Sequence, residues 1–150
     1  MLELLDPRTG QKILDVGSGS GWTTALLAEI VGDKGRVIAL ERVKELAEFG
    51  RKNVEKYNFI KKGIVEMRLA DETIGFSAGS PYDRILVSAF SLDIPNELRK
   101  QMKIGGKMVI PVKSSIVYVE RKSENDYYEK EYPGFAFVPL VTKEKNNSEE

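Results

Sequence analysis

The stretch ILDVGSGSGW, residues 13–22, decides how the chain folds. Its first residues form an apolar run with one acid, as a buried strand does, and the residues after Trp22 have the apolar spacing of a helix. Three glycines, at positions 17, 19 and 21, stand between the two. A glycine-rich strand-to-helix turn lets backbone approach a ligand closely and aims amide N–H groups at it. The sequence therefore predicts a ligand-binding α/β unit at this point.

The following residues continue to alternate apolar runs with helical periods. Strands are predicted at residues 12–16, 36–41, 63–70 and 82–89, and helices at 23–31, 43–57 and 94–102. Strands separated by helical segments imply a parallel sheet with right-handed crossovers, hence a doubly wound, Rossmann-like α/β fold. Ligands bind such sheets beyond the carboxyl ends of the strands. This rule gathers four parts of the chain around one crevice: residues 15–21, 41, 71 and 87–90.

The C-terminal part of the sequence predicts a different arrangement. After Gly105 and Gly106, which are expected to break the chain, come three apolar runs joined by short turns, at 107–112, 115–122 and 127–141. They predict that the mostly parallel sheet ends in an antiparallel hairpin. Residues 1–141 are expected to form a single domain, and the polar residues 142–150 a disordered tail.

Composition narrows the chemistry that the domain can perform. The 150 residues are 41% hydrophobic and 31% charged, and 23 acidic residues balance 23 basic ones, so no specific nucleic-acid partner is expected. The absence of cysteine and histidine excludes disulfides, thiolate nucleophiles, imidazole catalysis and most transition-metal sites, and we expect no metal. No apolar run has the length of a membrane span and no signal sequence is evident, which predicts a cytoplasmic protein without a membrane partner.

The residues around the glycines favour one kind of ligand. A dinucleotide fingerprint needs its third glycine where Trp22 stands, and a P-loop needs Gly-Lys-Ser/Thr, which is absent. Glu41 ends the second predicted strand, where a carboxylate can accept both hydroxyls of an adenosine ribose, although a solvated residue before a helix would look the same. Asp15 suits an ammonium or sulfonium better than a pyrophosphate, whose charge it would repel.

Other prominent features are expected to be structural. Trp22 is predicted to pack on the face of its helix, and Gly50 to let the next helix lie close to the sheet. The segment RKQMK, residues 99–103, is typical of a solvated helix end. Aromatic residues between Tyr127 and Phe137 are expected to pack the last hairpin. The helix over 43–57 should bury the face formed by Val43, Leu46, Ala47, Gly50, Val54 and Tyr57.

Several segments together resemble a known family. LELLDPRTGQKILDVGSGSGWTTALLAEIVG, residues 2–32, resembles the first motif of class I S-adenosylmethionine-dependent methyltransferases, and in detail that of the protein-L-isoaspartate O-methyltransferase family. GRVIALERVKELAEFGRKNVEKY, DETIGFSAGSPYDRILVSA, IPNELRKQMKIGGKMVIPV and GFAFVPL continue the match over nearly all of residues 2–141. The resemblance implies an enzyme that uses S-adenosylmethionine, releases S-adenosylhomocysteine and methylates the carboxylate of isoaspartyl residues in proteins or peptides.

The resemblance also implies roles for particular residues. Asp15 would support the glycine turn, Glu41 would hold the ribose, and Asp71 in the segment DETIG would face the adenine amino group. Glu72 stands beside the adenine where the family usually has glycine, and is expected to crowd it or to need a different backbone angle. Ser88 in VSAF is the only polar side chain of that segment near the transferred methyl, and a catalytic or a structural role is open for it. The residues that would wrap the methionine part are Gly17, Ser18, Gly19, Ser20 and Gly21.

One departure from the family concerns the acceptor. Family members carry a Ser-Gln-Pro-containing segment before the glycine motif that forms part of the acceptor site, and this sequence begins shortly before its first predicted strand. A reduced acceptor site is therefore expected. Methyl transfer to an ionised carboxylate needs no general base, so a chain without histidine can still perform it. Two other functions stay open: methylation of a small molecule or RNA, and a non-catalytic domain that binds the cofactor or assembles with a partner or a second copy.

Overall fold

The computed structural model describes residues 1–134, which form a seven-stranded sheet flanked by helices. The strands are β1 (Lys12–Val16), β2 (Arg36–Glu41), β3 (Val65–Leu69), β4 (Tyr82–Val87), β5 (Met102–Val112), β6 (Ser115–Ser123) and β7 (Asp126–Pro133). The helices are α1 (Leu2–Leu5), α2 (Trp22–Val31), α3 (Lys44–Glu55) and α4 (Asn96–Lys100). The rest of the strand predicted over 127–141, with Phe135 and Phe137, and the expected tail over 142–150 lie outside the described residues.

The strand order confirms the predicted fold class. The order across the sheet is β3-β2-β1-β4-β5-β6-β7. Strands β1 to β5 pair in parallel, whereas β6 runs antiparallel to β5, and β7 antiparallel to β6. The chain is therefore a doubly wound α/β fold that ends in the antiparallel hairpin expected from the sequence.

The centre of the sheet contains the point where strand order reverses. From β1 the chain moves through α2 and α3 to β2 and β3 on one side, and then returns to place β4 on the other side of β1. Neighbouring connections depart in opposite directions at such a point, which leaves a crevice above the carboxyl ends of the strands. The turn at residues 17–21, Glu41 and the segment at 87–90 all follow or end these strands, as predicted.

Two hydrophobic layers cover the two faces of the sheet. Ile13 belongs to the layer that includes Leu27 of α2 and Val54 of α3, and Leu14 to the layer that includes Leu98 of α4. Successive side chains of a strand point to opposite faces. Asp15 therefore lies on the same face as Ile13, under the start of α2.

Helix α3 buries a narrower strip than its sequence pattern predicted. Gly50 and Val54 are buried, but Val43, Leu46 and Tyr57 are 42%, 37% and 54% exposed, so the prediction of one continuous buried face is wrong. The helix lies beside β2 and the edge strand β3, where little of its circumference can reach the sheet. Its buried residues are Gly50 and Val54.

The predicted boundary between the helix over 94–102 and the strand over 107–112 is also wrong. Helix α4 ends at Lys100, and Met102 already pairs with Tyr82 of β4. The register then shifts before Lys107, and Gly105 within this irregularity has φ +85. The glycine pair therefore forms part of a bulged strand and does not break the chain, because glycine accepts the left-handed backbone that a bulge can require.

The short helix α1 has no counterpart in the sequence analysis. Its four residues include Leu5, which is fully buried in the same hydrophobic layer as Ile13. The buried Arg84 of β4 donates a hydrogen bond from Nε to the carbonyl oxygen of Asp6, at 3.1 Å. A helix of one turn has little stability of its own, so these tertiary contacts hold it in place.

We expect Leu5→Ala to lower the free energy of unfolding by about 2–5 kcal/mol, because a fully buried leucine loses its packing and leaves a cavity. Urea titration followed by circular dichroism measures the change. Glu3→Ala, an exposed position in the same helix, is the control and should differ little from the wild type. Equal stability of the two variants would contradict the tertiary anchoring of α1.

Candidate functional site

The turn between β1 and α2 depends on glycine at three positions. Gly17, Gly19 and Gly21 have φ values of +84, +52 and +84, in the left-handed region that other residues enter at a cost. The missing Cβ of Gly17 would lie 3.5 Å from the backbone nitrogen of Ala89, after β4. A Cβ at Gly19 would meet nothing within 4 Å. The turn therefore packs against the end of β4 on one side and faces open space on the other.

Three amides of this turn bond within the protein, contrary to the expectation that they point at a ligand. The N–H groups of Gly17 and Ser18 both donate to the carbonyl oxygen of Leu40, at 2.9 and 3.0 Å. The N–H of Gly19 donates to Oε1 of Glu41, at 2.8 Å. These three donors fasten the turn to β2, so they fix its shape.

The same turn is in backbone contact with α3. A Cβ on Gly21 would lie 2.7 Å from the carbonyl oxygen of Gly50, and a Cβ on Gly50 would lie 2.6 Å from the carbonyl oxygen of Gly19. Both distances are shorter than a carbon–oxygen contact allows. Gly50 therefore lets α3 approach the glycine turn. The sequence had instead predicted that Gly50 lets the helix approach the sheet.

Asp15 is the most constrained polar group below the turn. Its side chain is fully buried, and its Oδ2 accepts a hydrogen bond from the hydroxyl of Thr24, at 2.7 Å. Within residues 1–134, its Oδ1 and the Oγ of Ser18 are the buried side-chain atoms that have no hydrogen-bond partner. Burial raises the pKa of Asp15 to about 6, Thr24 opposes this shift, and the charge of Glu41 adds to it.

Glu41 is buried, with 6% of its surface exposed, so the alternative of a solvated residue before a helix is wrong. Its two oxygens accept from different parts of the chain: Oε1 from the N–H of Gly19, and Oε2 from the N–H of Val43 at 3.0 Å. One carboxylate thus joins the β1–α2 turn to the start of α3. Each oxygen keeps a second lone pair that can accept from a ligand hydroxyl.

The segment DETIG after β3 forms a local turn at the same edge of the sheet. Asp71 accepts hydrogen bonds from the backbone N–H of Thr73, at 2.8 Å, and from its hydroxyl, and these bonds hold the pKa of the exposed Asp71 carboxyl below its usual value. Glu72 is exposed and is not among the described residues with positive φ, so the glycine usual in the family is not needed here for backbone conformation. Whether Glu72 crowds a bound adenine stays a prediction.

The far end of this loop is held by Gln101, which the sequence analysis missed. The Gln101 side chain is buried; its Oε1 accepts from the N–H of Phe76 at 3.0 Å, and its Nε2 donates to the carbonyl oxygen of Ile74 at 3.0 Å. A side chain on Gly75 would collide with the same amide. The segment RKQMK is therefore wrongly described as a solvated helix end. The sequence pattern around one glutamine does not show whether its side chain binds backbone groups, as here, or is exposed to solvent.

Ser88 lies beside the glycine turn, whereas Trp22 is largely exposed. Ser88 is exposed at the end of β4, and its N–H donates to the carbonyl oxygen of Val16, so it lies beside the glycine turn as the sequence placed it. Trp22 is 65% exposed, and the prediction that it packs on its helix face is wrong. With Tyr57 it borders a cavity of about 260 Å³ between α2 and α3.

A solved structure shares the architecture of this chain. The beta-aspartate methyltransferase (PCMT) of Plasmodium falciparum, in a complex with S-adenosyl-L-homocysteine, is 24% identical and superposes with a TM-score of 0.76, over 93% of this chain and 68% of that chain. The fold is thus that of the Rossmann-like α/β methyltransferases. The model of the protein-L-isoaspartate(D-aspartate) O-methyltransferase (PCMT) family matches residues 1–145, and the chain belongs to this family, which confirms the resemblance seen in the sequence.

Curated relatives agree with this assignment. Protein-L-isoaspartate O-methyltransferase of Methanopyrus kandleri is 45% identical over 96% of this chain and 65% of the relative. The enzyme of the same name from Aeropyrum pernix is 42% identical over 94% of this chain and 55% of the relative. The chain therefore spans about two thirds of one relative and just over half of the other.

We expect Gly50→Ala to destabilise the protein by about 1–3 kcal/mol, because the added methyl group would overlap the carbonyl oxygen of Gly19. Alanine is the better helix former by about 1 kcal/mol, so a net loss can only come from this contact. Thermal unfolding measures it, with the exposed Lys52→Ala on the same helix as control. A stabilised Gly50→Ala variant would show that α3 and the turn are not in contact.

We also expect Asp15 to make stability depend on pH between about 4 and 6. Its folded-state pKa of about 6 lies above the ordinary 3.8, so across this window the native state keeps a proton that the unfolded chain releases. Stability from this group therefore falls as pH rises from 4 to 6 and is constant above it. The difference between these two pKa values corresponds to roughly 3 kcal/mol as an upper limit.

Asp15→Asn removes this titration while keeping an oxygen that can accept from Thr24. The difference in unfolding free energy between variant and wild type should therefore grow in favour of the variant from pH 4 to 6, measured by urea titration at each pH. Parallel profiles would contradict the shift. Carboxyl groups whose pKa is lowered are present in both proteins and cancel in this difference: Asp6, Glu66, Asp71 and Glu120.

Proposed function

We propose that this chain is an S-adenosylmethionine-dependent methyltransferase that acts on the free carboxylate of isoaspartyl residues in proteins or peptides. The observation that carries the proposal is a buried, half-satisfied carboxylate, Asp15, under a glycine turn that is open on its outer side. Membership of the isoaspartate methyltransferase family supports the reaction and the acceptor. The Plasmodium relative in complex with S-adenosyl-L-homocysteine supports the cofactor.

The residues at the turn fit the methionyl end of this cofactor. Asp15 Oδ1 and Ser18 Oγ are buried without partners, and such groups are normally satisfied by a ligand or water. A carboxylate favours the ammonium and sulfonium charges of S-adenosylmethionine and would repel a pyrophosphate. The open space at Gly19 leaves room for a ligand against backbone. The turn residues 17–21 would therefore hold the methionine part, with Asp15 as the nearby anion.

The adenosine would lie along the neighbouring strand ends. Glu41 would accept the ribose hydroxyls with its remaining lone pairs, and its fixed geometry between Gly19 and Val43 would orient them. Asp71 would face the adenine amino group from the turn after β3, with Glu72 beside it. The carboxyl ends of β2 and β3 lie side by side, since the N–H of Ala70 donates to the carbonyl oxygen of Glu41, at 2.8 Å.

The chemistry requires little from the protein beyond positioning. S-adenosylmethionine supplies a methyl group already activated by its sulfonium. A carboxylate acceptor with a pKa near 4 is ionised at neutral pH and needs no general base, which agrees with a chain that has no histidine. The protein would accelerate the reaction by holding acceptor and methyl in line and excluding water. Ser88, exposed beside the turn, would border the acceptor and is not needed as a base.

The partners and location of the protein are less constrained by the fold. No helix within residues 1–134 is long and apolar enough to cross a membrane. The cytoplasmic location predicted from the sequence stays a prediction. An isoaspartyl peptide is the partner that we propose, and none of the described residues favours RNA or a small molecule over it.

We expect Gly19→Ala to weaken binding of S-adenosylhomocysteine by about tenfold or more, because its methyl group would enter the space that the ligand occupies. The matched control is Gly10→Ala. Gly10 also has positive φ, +81, and open space around a Cβ, so alanine there tests backbone strain away from the site. Isothermal titration calorimetry of both variants and the wild type measures the affinities.

The acceptor is tested with labelled S-adenosylmethionine and two peptides that differ only in an isoaspartyl or an aspartyl linkage. Methyl ester should form on the isoaspartyl peptide with the wild type and with Gly10→Ala, and much less with Gly19→Ala. Absence of S-adenosylhomocysteine binding up to millimolar ligand would contradict the proposed cofactor. Binding without methylation of the isoaspartyl peptide would contradict the proposed acceptor.

A further inference from the structure

Thr24 is a buried polar residue whose role neither the sequence motif nor the family match assigns. It lies in the first turn of α2, is fully buried, and donates its hydroxyl to Oδ2 of Asp15 at 2.7 Å. A threonine inside a helix commonly turns its hydroxyl back to the carbonyl oxygen four residues earlier. That oxygen, on Ser20, instead accepts from the side chain of Asn53 at 2.8 Å. The Thr24 hydroxyl is thus committed to Asp15.

This single bond makes the two oxygens of Asp15 unequal. Oδ2 is held by Thr24, whereas Oδ1 has no partner although it is completely buried. A buried oxygen without a partner is costly, and its rotation toward another donor would normally relieve the cost. Such a rotation would break the hydrogen bond from Thr24 to Oδ2, so this bond opposes it. The hydrogen bond to Oδ2 therefore favours one orientation of the remaining oxygen, Oδ1, which is free to accept from a donor.

The surroundings of Asp15 favour a positively charged hydrogen-bond donor at Oδ1. Among the described residues, Glu41 is the charged group whose field acts on Asp15, and it is also negative. The neighbours of Asp15 in the sheet, Ala39 on β2 and Leu86 on β4, are apolar, and α2 faces it with Thr24. Two carboxylates in a buried region are stabilised by a nearby positive charge.

We propose that Thr24 is a positioning residue that, by holding Oδ2, presents Oδ1 of Asp15 to the ammonium group at the methionyl end of the cofactor. The inference rests on the proposed function, because it needs the cofactor to bind at the glycine turn. It assigns to Thr24 a contribution to affinity for one end of the ligand only. The adenosyl end, which lies toward Glu41 and Asp71, does not depend on it.

Two ligands separate the two ends. S-adenosylhomocysteine carries the amino-acid group, whereas 5′-methylthioadenosine has the same adenosyl thioether without it. Thr24→Val replaces the hydroxyl by a methyl group of similar size, and Thr23→Val makes the same change at the preceding, partly exposed position. Calorimetric titration of each variant with each ligand gives four affinities to compare with those of the wild type, and thermal unfolding checks that each variant is folded.

Thr24→Val should weaken the binding of S-adenosylhomocysteine by about tenfold, as expected for a misplaced charge-assisted hydrogen bond. The affinity for 5′-methylthioadenosine should change less than about twofold. Thr23→Val should leave both affinities unchanged. Since Thr24 favours the charged form of Asp15 and Glu41 opposes it, the pH above which S-adenosylhomocysteine binds well should also rise in Thr24→Val. Restoration of wild-type affinity by Thr24→Ser would assign the effect to the hydroxyl.

Other results would overturn the inference. An equal loss of affinity for both ligands would show that Thr24 only supports the structure of the turn. Unchanged affinity for S-adenosylhomocysteine would show that Thr24 has no role in binding the cofactor. If Thr24→Val does not fold, Thr24→Ser and Thr24→Ala, which differ only in the hydroxyl, give the same comparison, and equal ligand selectivity of this pair would reject the proposal. Failure of the wild type to bind either ligand would instead refute the proposed function, and this inference with it.

Discussion

The carboxylate of Glu41 is the interaction on which the arrangement of the site depends. It lies at the end of β2 and binds the N–H of Gly19 in one connection and that of Val43 in the next. The β1–α2 turn and the start of α3 therefore cannot move independently of each other. Because Glu41 is buried, little water competes for these bonds, and charged acceptors form stronger hydrogen bonds than neutral ones. A ligand that reaches Glu41 meets a group already oriented by the backbone.

The fold could be predicted largely from local patterns. Strand and helix periods alternate along residues 12–89, and the rules for parallel crossovers then leave few arrangements, so the fold class follows. The failures occurred where local pattern and long-range contact disagree. Helix α1 is too short to have a period and is held by the burial of Leu5, while Gly105 and Gly106 look like a chain break but lie inside the bulged strand β5.

Only part of the candidate site could be predicted from the sequence. Asp15, the glycine turn and Glu41 are placed together because they lie at the carboxyl ends of neighbouring parallel strands, and this follows from the fold class alone. The inward direction of the turn amides and the role of Gln101 could not be predicted. Both depend on hydrogen bonds between residues far apart in the chain, and a glutamine that binds two backbone groups has the same sequence signature as one in solvent.

The approach of α3 to the turn has a consequence for how this sequence can vary. A side chain on Gly21 would overlap the backbone of Gly50, and a side chain on Gly50 would overlap the backbone of the turn. Because both residues are already glycine, a substitution at one position cannot be compensated by a smaller residue at the other. Tolerance at either position would require the whole helix to shift, and with it the bond from Val43 to Glu41. The distance between α3 and the β1–α2 turn is therefore set by two glycines in separate segments, and a side chain at either one would separate the two elements.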